Sequence, residues 1–384
     1  MMVQMPTLEQ LRDVARQCGL SLDDRALVSF QELMTPYVAA YEAVAKMPDE
    51  VPGVKYPRTP GRRPLPEENV YNAWYRKTSV IGAPQGKLAG KRVVLKDNIM
   101  LTGVPMMNGA STLEGYVPDF DATVVTRILD EGGEIAGKAH CEYFCVSGGS
   151  HTNATGPVHN PHRMGYSAGG SSSGSAVLVA TGEADMAIGG DQGGSVRMPS
   201  AFCGIYGMKP TWGLVPYTGV MPIEIFVDHV GPMTQSVADN ALLLEVIAGD
   251  DGYDPRIKAP TVHRYSQMLE GGVKDLKIAI AKEGFGHSNS EKAVSDKVIA
   301  GANRFAALGA RVDEVSIPMH LVGPLIWVPI GTEGLTQTMM YGDGFGLSRD
   351  DLYSISLMDF HRGWRHRADE LSETPSSFFF LEPM

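Results

Sequence analysis

The sequence predicts an α/β fold built on a mainly parallel or mixed β-sheet, and three observations carry that expectation. Short apolar runs alternate with segments of helical period between residues 92 and 317, the mark of strands separated by helices. The first 50 residues read as helical. Glycine occurs 44 times in 384 residues, about 11% against a usual ~7%, and crowds into 165–219. Glycine at that density gives backbone that turns sharply and exposes its N–H groups.

The elements follow in chain order. Pro6 and Thr7 open a first helix, with Gln10 in capping-box position and Leu8, Leu11, Val14, Ala15 and Cys18 on one apolar face. Ser21, with Asp24 as box partner, opens a second helix that carries Phe30, Leu33, Tyr37, Ala40 and Val44, and Pro36, which can kink it. Two such helices cannot bury their stripes alone and need the main body or a second protomer. Residues 48–68 are proline-rich and read as a wrapped linker. The expected organisation is therefore a helical extension and linker over 1–68 and a main domain over 69–384. Within that domain the expected strands are Arg92–Lys96, Glu134–Gly137, Ala184–Ile188, Leu276–Ala281 and Val312–Ile317. The expected helices are Thr123–Leu129, opened by Asp121 and closed by Gly132 and Gly133; Ser172–Ala180; one containing Leu242–Ile247, capped by Ser236 with Asp239; and one over 291–308. A last amphipathic helix is expected over 361–372, before the awkward run Phe378, Phe379 and Phe380.

Composition narrows the function. There are 33 Lys and Arg against 44 Asp and Glu, a net charge of -11, the wrong balance for a general nucleic-acid binder. Cys18, Cys141, Cys145 and Cys203 are too few for a disulfide scaffold and lack zinc-site spacing. His151, His159 and His162 share one loop, but their spacing matches no standard metal site. With no signal segment and no long apolar run, the expectation is a cytoplasmic protein without membrane or nucleic-acid partners.

The chemistry is expected in Gly169-Gly170-Ser171-Ser172-Ser173-Gly174-Ser175 and Gly189-Gly190-Asp191-Gln192-Gly193-Gly194-Ser195-Val196-Arg197. A phosphate loop would need a lysine before its Ser or Thr, and none is present. Gly165-Tyr166-Ser167-Ala168-Gly169 matches a nucleophile elbow in letters, but residues 160–164 make a poor preceding strand. The third reading is a nucleophile at Ser195, where successive N–H groups converge on one hollow. A serine needs a base. Lys96, at the end of an apolar strand, can serve through desolvation, although a solvated strand terminus is the plainer reading of the residue alone.

These segments resemble the amidase signature family of Ser–cisSer–Lys hydrolases. GGSSSGS at 169–175, GGDQGGSVRMPSAFCGIYGMKPTWG at 189–213, GKRVVLKDNI at 90–99 and SHTNATGPVHNPH at 150–162 stand in the family's order, and the likeness runs roughly from 70 to 350. The resemblance implies the amidase signature fold, a central mixed sheet covered by helices on both faces. It implies that Ser195 is the nucleophile and that Ser171, at a cis peptide bond, relays the proton to Lys96, the ultimate base. Backbone N–H groups of Gln192, Gly193, Gly194 and Ser195 would form the oxyanion hole, with Asp191 holding the site and Arg197 supporting it. No metal or organic cofactor is required. Ser173 departs from the family, which usually has glycine there.

Within the family the layout is similar to the enantioselective amidases found with nitrile hydratases, through the N-terminal extension, Gln192 and the SIPMH stretch at 316–320. That implies a small aliphatic or aromatic carboxamide as substrate, hydrolysed to acid and ammonia by a homodimer. An ammonia-supplying transamidation subunit is the alternative. The chain is shorter than that subgroup, so its C-terminus reads as truncated, and an inactive form is a further expectation. Trp327, Tyr341 and Phe345 are candidates for an acyl-pocket wall or for core.

Overall fold

The computed structural model describes residues 3–48 and 51–341, with side chains to residue 336. The helix expected over 361–372, Phe345, the side chain of Tyr341 and the Phe378–Phe380 run lie outside the described residues. The chain divides into two units, Met1–Val51 and Pro52–Met384.

The smaller unit is a pair of helices. α1 (Leu8–Gln17) starts in the expected capping box, with the Gln10 N–H donating to Thr7 Oγ1 at 3.2 Å and the Thr7 N–H to Gln10 Oε1 at 2.8 Å. α2 (Asp24–Val44) begins two residues later than Ser21 as N-cap predicts, because Asp23 is its N-cap. The Asp23 carboxylate accepts the Ala26 N–H at 2.8 Å, and its charge suits the positive end of the helix. The helix continues through Pro36. Arg12 pairs with Asp24 at 2.5 Å, and Gln31 Nε2 donates to the Pro6 carbonyl at 2.8 Å.

The larger unit opens with the proline-rich segment, which is held at several points. Arg58 grips Asp121 at 2.5 and 2.7 Å, and Tyr56 donates to Asp130 at 2.8 Å. Then follow β1 (Trp74–Ile81), β2 (Arg92–Lys96), α3 (Thr123–Asp130), β3 (Glu134–Ala139), β4 (His159–Asn160), β5 (Arg163–Ser167), α4 (Ser173–Ala180), β6 (Met186–Asp191), α5 (Arg197–Cys203), β7 (Tyr206–Gly207), β8 (His229–Thr234), α6 (Val237–Ile247), β9 (Lys277–Ala281), α7 (Lys292–Ala307), β10 (Arg311–Val315) and α8 (Gly323–Tyr341).

The main sheet has the order β1-β3-β2-β6-β8-β7. β3, β2 and β6 are parallel neighbours, while β1, β8 and β7 pair antiparallel, so the sheet is mixed. Alternation along the strands splits the core in two. Val93, Leu95, Met186 and Ile188 face Val124, Ile128, Leu243 and Ile247 of α3 and α6. Val94 and Ala187 face Ala176, Val177 and Val179 of α4. Helices therefore cover both faces. β9 and β10 form a separate parallel pair joined through α7. No helix among the described residues is long and apolar enough to cross a membrane.

Two expected boundaries move for identifiable reasons. Asp121 does not cap α3. Its carboxylate is taken by Arg58 and by the Thr102 N–H, and Ala122 is the N-cap, without a side-chain bond. The strand expected over 184–188 runs instead over Met186–Asp191. The Ala184 N–H still closes the turn onto Leu178, and the strand continues through Gly189 and Gly190 because β8 pairs with it up to Asp191–His229. Ser236 caps α6 as expected, accepting the Asp239 N–H at 3.0 Å.

Candidate active site

Lys96 is the last residue of β2 and lies on the Val94 face, toward α4. Ser171 lies just before α4, whose start is tied to β6: Ser172 Oγ both donates to the Gly190 carbonyl and accepts its N–H, each at 3.2 Å, and Ser175 Oγ donates to Ile188 at 3.3 Å. Lys96 Nζ consequently meets Ser171 Oγ at 2.7 Å and the Gly190 carbonyl at 3.4 Å. Both side chains are 0% exposed, so the solvated strand terminus is set aside. The Gly170–Ser171 peptide bond is cis. The Ser171 carbonyl accepts the Glu142 N–H at 3.2 Å.

The second segment turns off the end of β6 around the Asp191 carboxylate. Asp191 Oδ1 accepts the Gly194 N–H at 2.9 Å, and Oδ2 accepts the N–H groups of Val196 at 3.1 Å and Arg197 at 3.4 Å. The Arg197 guanidinium adds bonds at 2.9 and 3.0 Å. Burial pushes this carboxyl up, but Arg197 and the backbone donors outweigh it and hold it below the usual carboxylate range. Arg197 therefore acts through Asp191. Gly194 has φ of 130°, which a side chain would resist.

Ser195 is buried beside the relay segment, and its carbonyl accepts the Ser172 N–H at 3.3 Å. Among the described residues its hydroxyl makes no hydrogen bond. The structure thus joins Lys96 to Ser171 side chain to side chain, and Ser171 to Ser195 through neighbouring backbone. Of the four N–H groups expected in the oxyanion hole, that of Gly194 donates to Asp191. The N–H groups of Gln192, Gly193 and Ser195 make no hydrogen bond among the described residues. The Gln192 side chain points elsewhere, donating to Tyr217 Oη at 3.0 Å and Asp228 Oδ1 at 2.7 Å. Burial pushes the Asp228 carboxyl up to about 6.

Several neighbours escaped the sequence reading. Asp97 and Lys138 form a fully buried ion pair at 3.4 Å next to Lys96. Asp97 also accepts the Met107 and Asn108 N–H groups at 2.8 and 2.9 Å, and Lys138 donates to the Ile99 carbonyl. Burial pushes Asp97 up to about 6 and Lys138 down. The signal available was a second lysine inside an apolar strand, EIAGKA, like that in RVVLK. Glu142, also buried, gathers the N–H groups of His151 and Thr152 at 3.2 and 3.3 Å. Trp327 Nε1 donates to the Gln192 carbonyl at 3.0 Å, which places it at this loop.

Other candidates fall away. Ser167 belongs to β5, a better strand than its letters suggest, but that strand is an exposed hairpin with β4, and Ser167 Oγ donates to the Gly149 carbonyl at 2.9 Å. Cys203 is buried, and burial pushes its thiol up to about 12. No cluster of three or more metal-ligating side chains occurs among the described residues.

A buried lysine nitrogen touching one serine, with a second serine in a turn that offers unpaired N–H groups, is the arrangement required for acyl transfer without histidine. Comparison with known proteins gives the following similarities. An enantioselective amidase of Rhodococcus rhodochrous is 42% identical over 352 residues, which cover 89% of this chain and 67% of the relative. The matching component of the glutamyl-tRNA(Gln) amidotransferase of Methanosarcina acetivorans is 44% identical over 61% of this chain, and the match spans only 49% of that relative. The crystal structure of the corresponding Thermotoga maritima protein superposes with a TM-score of 0.66 at 29% identity, covering 78% of this chain and 64% of that one. The Amidase family profile matches residues 66–376, most of the chain, and with the buried lysine–serine pair standing inside that span, the chain belongs to the Amidase family.

Proposed function

We propose that the chain hydrolyses small carboxamides to carboxylic acid and ammonia through an acyl-enzyme on Ser195. The observation that carries this is the contact between Lys96 Nζ and Ser171 Oγ, 2.7 Å long and sealed from solvent, one backbone bond from Ser195. Ser195 Oγ attacks the carbonyl carbon. Its proton passes to Ser171 Oγ as the Ser171 proton passes to Lys96 Nζ. The carbonyl oxygen gains the charge and is met by the N–H groups of Gln192, Gly193 and Ser195. The C–N bond breaks as the relay returns a proton to the nitrogen, and ammonia leaves. Water then attacks the ester, losing its proton through the same relay, and releases the acid.

The relative from Rhodococcus, an enantioselective amidase, supports a chiral amide as substrate. The similarity to amidotransferase components supports a second reading, an ammonia-supplying protein that acts on glutamine. Ammonia release from propionamide, benzamide, 2-phenylpropionamide and glutamine, with Ser195→Ala as control, separates the two. Release from the simple amides that vanishes in the variant supports the first. Release from glutamine alone supports the second. A folded chain that acts on none of the four contradicts both.

A further inference from the structure

We propose that Trp327 is a positioning residue for the acyl-transfer centre: its indole N–H holds the Gln192 carbonyl and thereby aims the Gly193 N–H at the developing oxyanion. This rests on the amidase reading above. The Asp191 carboxylate fixes the Gly194, Val196 and Arg197 N–H groups, but nothing in that clamp sets the Gln192–Gly193 peptide. The indole does. Trp327 Nε1 donates to the Gln192 carbonyl at 3.0 Å. Among the described residues the cis peptide bond is Gly170–Ser171, so the Gln192–Gly193 unit is trans and its C=O and N–H point in opposite directions. Holding the carbonyl on the indole turns the Gly193 N–H away from it.

The indole is itself seated. A Cβ at Gly193 would lie 3.3–3.5 Å from its ring, and one at Gly331, a turn along α8, would lie 3.2–3.5 Å from it, so the ring fits between two glycines. α8 is anchored two turns on by Leu335, buried with Ala110, Tyr143 and Phe144. An indole can only donate, so the bond admits one polarity.

Trp327→Phe keeps an aromatic ring and removes the N–H. The readouts are kcat and KM for an amide that the wild type turns over, and the inhibition constant of phenylboronic acid, which forms a tetrahedral adduct on Ser195. The expected result is a loss in kcat of about tenfold, the scale of one hydrogen bond. KM should stay within about twofold, since the bond acts in the transition state, and boronate binding should weaken by the same factor as kcat. An unchanged kcat, a kcat loss without a boronate loss, or a rise in KM alone would overturn the proposal. If Trp327→Phe does not fold, Gly331→Ala pushes on the ring and should give the same paired loss on a smaller scale; a loss in one readout alone overturns it. A wild type that neither turns over amides nor binds the boronate overturns the amidase reading itself.

Discussion

The two glycine-rich segments that carry the serines are held by different forces. Residues 169–175 are fixed by close backbone approach. A Cβ at Gly170 would lie 2.9 Å from Glu142 Cγ and 3.0 Å from the Ser147 carbonyl, and one at Gly174 would collide with the Ala73 carbonyl and come within 2.8 Å of the His140 backbone. Residues 189–197 are fixed by charge, with three backbone N–H groups and a guanidinium gathered on Asp191. The difference matches what each serine must do. Ser171 is 0% exposed and already in contact with Lys96. Ser195 keeps its hydroxyl, its own N–H and the N–H groups of Gln192 and Gly193 unengaged among the described residues. On the proposed mechanism, one segment would hold the relay, and the other would shape a hollow for the substrate.

Breaking the relay should have the largest effect. Ser171→Ala and Lys96→Ala should each lower kcat by at least about 10³-fold, and the double variant should be little worse than either, because groups that act as a unit are not additive. Far-ultraviolet circular dichroism should show both single variants folded.

Steric fixation of the first segment predicts the next effect. Gly174→Ala should destabilise the protein by about 3 kcal/mol or more, since backbone on both sides of the new methyl must move. Urea denaturation measures this, and an unchanged midpoint would show that the approach is looser than described.

Electrostatic fixation of the second segment predicts a different signature. Asp191→Asn leaves the shape but weakens the charge-assisted bonds to Gly194, Val196 and Arg197. It should cost about 2 kcal/mol in transition-state stabilisation, read as kcat/KM, with a smaller change in the urea midpoint than Gly174→Ala gives.

A further effect, confined to acid pH, is a pH dependence next to the first segment. His140 is buried, its Nδ1 on the Asn72 carbonyl at 2.8 Å, and burial pushes its pKa from 6.5 down to about 4. A depressed histidine contributes stability that is present above 6.5 and lost as pH falls through about 4. The folded state must either charge a buried ring or unfold. Its share is at most on the order of 3 kcal/mol. His140→Gln should flatten the urea midpoint between pH 6.5 and 4, and an unaltered slope would place the acid sensitivity elsewhere.

How much of this was legible follows from sequence distance. RVVLK, the glycine–serine runs and the Asp191–Arg197 turn are local, so their strand, helix start and turn could be read directly. The family resemblance then brought Lys96, Ser171 and Ser195 together before the sheet order was known. Partners distant in sequence were not legible. Nothing in the letters couples Asp121 to Arg58, Lys138 to Asp97, or Trp327 to Gln192 across 135 residues. Local capping logic assigned Asp121 to α3 because the arginine that outcompetes the helix lies 63 residues away. The bond from the Gly194 N–H to Asp191 was not legible for a related reason: a carboxylate three residues earlier competes for that N–H, and only the geometry of the turn decides which acceptor it meets.

If Lys96, acting through Ser171, makes Ser195 nucleophilic, labelling with a fluorophosphonate followed by peptide mass spectrometry tests it without a substrate. The wild-type chain should carry one adduct, on the peptide containing Ser195, and Lys96→Ala should label more slowly by at least about 10²-fold, the low end for general-base assistance. Equal labelling rates in the two proteins, or an adduct on any residue other than Ser195, would contradict the account.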